Sequence, residues 1–114
     1  MQRKQVAVPI GNFTSTDEPI IDDAMRNQVR DILGDLFSDA DIQVVTLRAR
    51  NFYGPAFSLF KGDESILTAK TPGLANLWSI GKRDAYQAAW KAFIDQLQIR
   101  VASIRYKASR VLES

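Results

Sequence analysis

Basic side chains in the last third of the chain are the residues of this sequence best placed to contact a charged ligand. Residues 82–114 carry seven basic side chains against three acidic ones, whereas residues 1–50 carry six against eight. Lys82, Arg100 and Lys107 are 18 and 7 residues apart, a spacing that puts them on one flank of a helix. Such a row could follow a phosphate backbone. The alternative is a solvated flank whose cations favour the helix C-terminal end.

Further basic residues lie outside this row. Arg26 and Arg30 are one turn apart on a predicted helix, where they could extend the row or pair with acidic neighbours. Arg48 and Arg50 project from one face of a predicted strand, where they could contact a ligand or face solvent. The predicted polyanion contacts are Lys82, Arg83, Arg100, Arg105, Lys107, Arg110, Arg26 and Arg30.

The sequence contains few of the residue types that catalysis or metal binding requires. The sequence has no histidine and no cysteine, which excludes Ser-His-Asp and Cys-His catalysis and thiolate metal sites. The acidic pairs Asp17-Glu18, Asp22-Asp23 and Asp39/Asp41 fit helix capping and turns better than acid–base sites. The six glycines are scattered, so no phosphate-binding loop motif is present. We expect no enzymatic activity, no metal, no cofactor and no small-molecule substrate.

Composition predicts one soluble domain. A chain of 114 residues with 46% hydrophobic and 25% charged residues matches an ordinary globular protein. The apolar stretch 6–11 is interrupted by Pro9 and is too short for a signal peptide. No run approaches the length of about 18 apolar residues that crosses a membrane. We therefore expect a cytoplasmic protein with no membrane partner.

Six elements follow from the residue patterns. Val6–Ile10 has strand composition, and apolar residues from Ile21 to Leu36 recur at helical spacing, which predicts a helix over 19–37. Strands are predicted at 42–51, 56–60 and 65–70, with a turn at 51–55 marked by Gly54-Pro55. A last helix over 82–112 carries one apolar stripe, formed by Tyr86, Trp90, Phe93, Leu97, Val101, Ile104, Ala108 and Val111.

The order β-α-β-β-β-α predicts an α+β two-layer sandwich, with a four-stranded sheet and both helices on one face. The last helix, at roughly 45 Å, exceeds strands of roughly 17–20 Å and should overhang the sheet. Its distal half, with the apolar residues Val101, Ile104 and Val111, would then pack beside the end of the first helix, meet a partner or fray. This favours a second hypothesis, a protein–protein interaction module in which two copies pair through the last helix.

Two segments resemble the ribosome hibernation promoting factors. Ile10-Gly11-Asn12 precedes a Thr and a helix with Met25-Arg26 and Val29-Arg30, and the run 79–89 (SIGKRDAYQAA) is similar to that family's Ser-Gly-Lys…Asp-x-Tyr-x-Ala segment. The resemblance implies a β-α-β-β-β-α domain in the mRNA and tRNA channel of the small ribosomal subunit. Lys82, the basic residues between Arg100 and Arg110, and Arg26 with Arg30 would contact ribosomal RNA. The protein would then be a translation regulator acting during dormancy.

A double-stranded RNA-binding domain is the other resemblance. Gly54-Pro55-Ala56 lies between predicted strands, and Lys82-Arg83-Asp84-Ala85 opens the last helix. In that family, lysines at the N-terminus of the last helix contact phosphates across a groove. The sequence thus leaves three functions open: ribosomal RNA binding, double-stranded RNA binding and self-association.

Overall fold

The structure, a computed structural model, describes residues 19–113, and it describes side chains from residue 19 to residue 109. The first helix, α1, spans Asp23–Leu33. Asp22 caps it, since its carboxylate accepts a hydrogen bond of 2.9 Å from the Met25 amide. The helix is shorter than the predicted 19–37, because Gly34 ends it with a φ of +62° and its N–H bonds the Arg30 carbonyl.

A three-stranded antiparallel sheet follows α1. Its strands are β1 (Asp41–Ala49), β2 (Phe52–Lys61) and β3 (Glu64–Thr68), in the order β1-β2-β3. β2 starts inside the segment that the sequence predicts as a turn, and the connection from β1 is reduced to residues 50–51. The register pairs Asp41 with Phe60 at one end of the β1–β2 hairpin and Ala49 with Phe52 at the other.

The predicted four-stranded sheet is wrong. The expected β-α-β crossover requires a strand parallel to β1, yet both ladders of the described sheet are antiparallel. The only parallel pairing among described residues is a single bridge between Tyr53 and Asn76. The strand predicted at Val6–Ile10 lies outside the described residues. The two-layer α+β character agrees with the prediction.

The long helix α2 spans Lys82–Glu113 and supplies most of the helical layer. Phe57 of β2 packs edge-on against Trp90 at 5.0 Å between ring centroids and lies 6.3 Å from Phe93. The predicted apolar stripe is buried from Tyr86 through Val101. α1 contacts α2 and contributes Met25, Val29 and Leu33 to the same core.

The distal part of α2 differs from its first part in exposure. Ile104 is half-buried, and every side chain from residue 105 to residue 109 is exposed. A helix of 32 residues is about 48 Å long, more than the sheet needs for cover. The helix therefore leaves the core after its sixth turn, close to the C-terminus of α1.

Candidate functional site

The predicted row of cations on α2 does not form one continuous site. Lys82 and Arg100 are 18 residues apart, which separates them by about 27 Å along the helix axis. The flank between them is covered by the sheet, since Ala85 and Ala89 are buried and Gln96 Nε2 donates to the Lys70 carbonyl at 2.7 Å. The row is thus divided into a proximal and a distal group.

The distal group has two exposed members on this flank. Arg100 Nη1 lies 3.5 Å from the Ile66 carbonyl of β3, a contact at the limit of hydrogen bonding. Lys107 is exposed and has no ion pair within the described part of the chain. Arg110 lies beyond the described side chains.

Arg105 is engaged inside the molecule. Its Nη2 donates a 2.8 Å hydrogen bond to the Leu33 carbonyl at the end of α1, and it lies 3.6 Å from Asp35 Oδ1. A cation at a helix C-terminus is stabilised by the helix dipole and by the unpaired carbonyls. Arg105 therefore has a structural role that explains its charge without a ligand.

The two basic residues of α1 also face acidic neighbours. Arg26 Nε is 3.3 Å from Asp41 Oδ1, and its Nη1 is 3.9 Å from Asp23. Arg30 is exposed beside the short 34–40 connection and forms no ion pair with any residue the structure describes. Arg26 and Arg30 thus lie at an acidic part of the surface.

The apolar candidates on α2 divide between core and surface. Val101 is 5% exposed and belongs to the core, whereas Ile104 is half-buried. Val111 lies beyond the described side chains. The large apolar residues exposed on this part of the helix are instead Ile99 and Tyr106, at 70% and 62%.

A second cluster of cations forms where β1 turns into β2. The Arg48 guanidinium lies over the Tyr53 ring, 4.6 Å from its centroid, in a cross-strand pair. Arg50 is in the turn that follows β1. Lys70 Nζ lies 6.0 Å from the centroid of the Phe52 ring at the start of β2. Three cations from separate elements therefore surround one end of the sheet.

The start of α2 is brought to the same end by a short connection. The Tyr53 amide donates to the Ala75 carbonyl at 2.7 Å, and Asn76 caps a 3-10 helix at Leu77–Ile80. α2 begins two residues later at Lys82. We call the surface formed by Arg48, Arg50, Lys70 and Lys82 the basic end.

The basic end has no ion pairs among the described residues, whereas the opposite end does. Among the described residues, ion pairs join Arg26 to Asp23 within the first turn of α1 and to Asp41 at the start of β1, and join Arg105 to Asp35 just after the C-terminus of α1. At the basic end the nearby acidic residue is Asp84, which lies in the first turn of α2, where the helix dipole favours it.

The helix dipole acts differently on the cations at the two ends of the molecule. Lys82 and Arg83 occupy the first turn of α2, where the partial positive charge of the helix N-terminus opposes a cation. Their positions therefore do not stabilise the helix, whereas Arg105 does stabilise the end of α1. Lys82 and Arg83 were among the residues predicted from the sequence, but Lys70 was not; the fold places its ammonium 6.0 Å from the centroid of the Phe52 ring at the start of β2.

Comparisons with protein families, curated proteins and solved structures give no match to this chain. The resemblance to hibernation factors stays a prediction. No helix within residues 19–113 has the length and apolar character needed to cross a membrane. The same residues contain no group of three acidic, histidine or cysteine side chains that could hold a metal ion.

Proposed function

We propose that this protein is a non-enzymatic RNA-binding protein and that the basic end is its contact surface. The observation that carries the proposal is the group of Arg48, Arg50, Lys70 and Lys82, which lack ion pairs within the described chain. Cations held apart from carboxylates keep their attraction for a phosphate backbone. At the other end, Arg26 and Arg105 instead lie beside Asp41 and Asp35.

The exposed aromatic side chain of this surface favours RNA over other polyanions. Tyr53 is 38% exposed, and Arg48 stacks on its ring. Aromatic rings and guanidinium planes are the groups on which unpaired bases stack, and that stacking adds to the phosphate attraction. A single-stranded or looped RNA segment could use both contacts at once.

Ribosomal RNA of the small subunit is the target that we propose within this class. The support is the resemblance of residues 79–89 to hibernation factors, and Lys82 of that segment belongs to the basic end. The protein would regulate translation by occupying an RNA groove through charge and shape.

Fluorescence anisotropy with a labelled single-stranded RNA tests the contact surface. With four cations engaged, log Kd should change with log salt with a slope of about 3 in magnitude. Arg48→Gln combined with Arg50→Gln should lower that slope by about 1.4, half of its value, and weaken binding. The matched control is Arg30→Gln combined with Lys61→Gln, which removes the same charge from exposed positions away from the basic end. Equal weakening by both pairs, or no binding by the wild type, would contradict the proposal.

Co-sedimentation with small ribosomal subunits tests the proposed target. The Arg48→Gln, Arg50→Gln variant should stay in the supernatant, and the control pair should sediment like the wild type. Arg100→Glu with Lys107→Glu tests the distal group of α2 in the same assay. If only this last variant loses sedimentation, α2 and not the basic end is the contact surface.

Self-association is a second candidate function, favoured by one specific observation. Ile99 and Tyr106 are exposed and seven residues apart, so they lie on one face of α2 away from the core stripe. In a two-fold antiparallel pair, Ile99 of each copy would meet Tyr106 of the other. Light scattering should then show a dimer that Ile99→Asp converts to a monomer, with Thr46→Asp, at an exposed position of β1, as a control. A monomeric wild type removes this candidate.

A further inference from the structure

The backbone hydrogen-bond ladder on the β3 side of β2 is interrupted at Pro55. The Tyr53 amide and the Phe57 carbonyl both point to the β3 side of β2, because they bond Ala75 and Ala69. Pro55 lies between them with the same orientation and has no N–H to donate. Pro55 therefore cannot donate a ladder bond on this side, although the β1 side of β2 keeps its pairing.

The chain departs from the sheet at this interruption. Ala69 donates to the Phe57 carbonyl at 3.2 Å, and the backbone next meets β2 at Ala75, whose carbonyl accepts from Tyr53. Residues 70–74 form a loop between these two contacts. Together with Asn51 and Ala75, the loop lines an open depression beside the β1–β2 turn.

The loop leaves several hydrogen-bond donors without acceptors in the described chain. The amides of Thr71, Gly73 and Leu74 donate to no described residue, and only the Lys70 carbonyl is bonded, to Gln96. Thr71 is 8% exposed, and its buried hydroxyl has no partner. Buried polar groups in proteins are normally satisfied, so this hydroxyl has the capacity for a further hydrogen bond.

The chemistry of the lining suits an anion. Among the residues that the structure describes, the lining includes Lys70 and Asn51, whose side chains carry N–H donors, and no carboxylate. Gly73, with a φ of +101°, turns the backbone in a way that other residues adopt rarely. Several N–H donors beside one ammonium form a setting for a tetrahedral oxyanion.

We propose that the 70–74 loop binds a phosphate group, with the loop amides and Lys70 as donors and the Thr71 hydroxyl as a further donor after side-chain rotation. The inference rests on the proposed RNA-binding function, because the depression adjoins Arg50 and Lys70 of the basic end. The phosphate would then belong to the RNA backbone. A free mononucleotide or inorganic phosphate has the same chemistry, and the titrations below distinguish these sources.

Proton–nitrogen correlation spectra of the full chain, titrated separately with inorganic phosphate, a nucleoside 5′-monophosphate and the RNA, test the site. The amides of Thr71, Gly73 and Leu74 should shift with RNA at the lowest concentration. The amide of Gly62, in the β2–β3 turn at the other end of the sheet, is the reference and should stay unchanged. Shifts that are spread equally over all surface lysines would mean an adventitious ion only and would overturn the proposal.

Two variants separate the donors. Lys70→Gln should raise the Kd for phosphate by about tenfold, whereas Lys61→Gln, the matched control in the β2–β3 hairpin, should leave it unchanged. Thr71→Val removes the unpaired hydroxyl at constant shape, so it should raise the thermal midpoint in phosphate-free buffer and weaken phosphate binding. If Lys70→Gln leaves the phosphate Kd unchanged, the proposal is wrong, whether or not Thr71→Val folds.

The outcomes also separate this inference from the proposed function. If the RNA binds while the chemical shifts of the loop amides stay unchanged, the RNA-binding proposal holds and the proposal of a phosphate site in the loop is wrong. If inorganic phosphate or the mononucleotide shifts these amides but the RNA does not bind, the loop is a phosphate site and the RNA-binding proposal is wrong.

Discussion

At the scale of single residues, Arg105 shows that a cation of α2 can be engaged within the protein instead of facing a ligand. Its guanidinium donates to the Leu33 carbonyl and lies near Asp35, so the end of α1 holds it in place. The contact joins residues 72 positions apart, and no spacing rule connects them in the sequence. A cation engaged in this way cannot extend toward a phosphate without giving up the contact with α1.

Gly34 is the residue on which this contact depends. Its φ of +62° and ψ of −117° suit glycine, and a Cβ built there would lie 2.7 Å from Arg105 Nη2. Gly34→Ala should therefore lower the free energy of unfolding by about 1–3 kcal/mol, from backbone strain and displacement of Arg105. Urea denaturation measures the change.

A double-mutant cycle separates the two causes. In an Arg105→Ala background, Gly34→Ala should cost less, because only the backbone strain remains. An equal cost in both backgrounds would show that Arg105 moves aside freely and does not fix α1 to α2.

At the scale of elements, the central strand β2 was predicted least well. Gly54-Pro55 is typical of a turn, yet both residues lie in β2 and are buried. Proline is tolerated here because its missing N–H faces the gap at the 70–74 loop and not β1. Glycine is required because the 3-10 helix packs directly on it, and a Cβ at Gly54 would lie 2.6 Å from the Leu77 Cβ.

Gly54→Ala should therefore destabilise the protein by about 1–3 kcal/mol, since a methyl group must be forced between two backbone segments. It should also weaken RNA binding, because the 3-10 helix that directly precedes Lys82 has to move. Urea denaturation and the anisotropy assay measure these two effects. Unchanged stability would show that the 3-10 helix is not held against β2.

The helices were predicted better than the sheet, for a physical reason. The stripe from Tyr86 to Val101 repeats every three to four residues, and a helix with such a stripe buries it whatever its partner. The number of strands depends instead on pairing between distant segments, which local composition does not determine. The start of α1 was misplaced for a local reason, because Asp22, and not the residues before Pro19, provides the cap.

The site was predicted only in part, and the missing part depends on tertiary structure. Lys82 and Arg83 could be found from segment charge alone. Lys70 could not, because only the tertiary fold brings its ammonium to the Phe52 ring at the start of β2. Arg105 belonged to the same basic segment of the sequence and yet packs on α1.

At the scale of the whole molecule, folding redistributes the charge that the sequence places in its last third. Within the described part of the chain, the basic end has no ion pairs, whereas Arg26 and Arg105 lie beside carboxylates in the opposite region. The long-range attraction of a polyanion depends more on this separation of charge over the surface than on the net charge of the protein. A polyanion should therefore approach the β1–β2 end first.

Photo-cross-linking to RNA maps that orientation with one probe at each of three surfaces. The probe, p-benzoylphenylalanine, replaces Ile80 beside the basic end, Ser103 on the distal half of α2, or Ser38 near Asp39 and Asp41. All three positions are exposed, so the substitution should leave the core intact. Only the Ile80 probe should cross-link, and the yield should fall steeply between low and high salt, because the phosphate contacts weaken. A dominant cross-link from Ser103 would instead assign binding to Arg100 and Lys107, and equal yields from all three would mean that the RNA has no preferred surface.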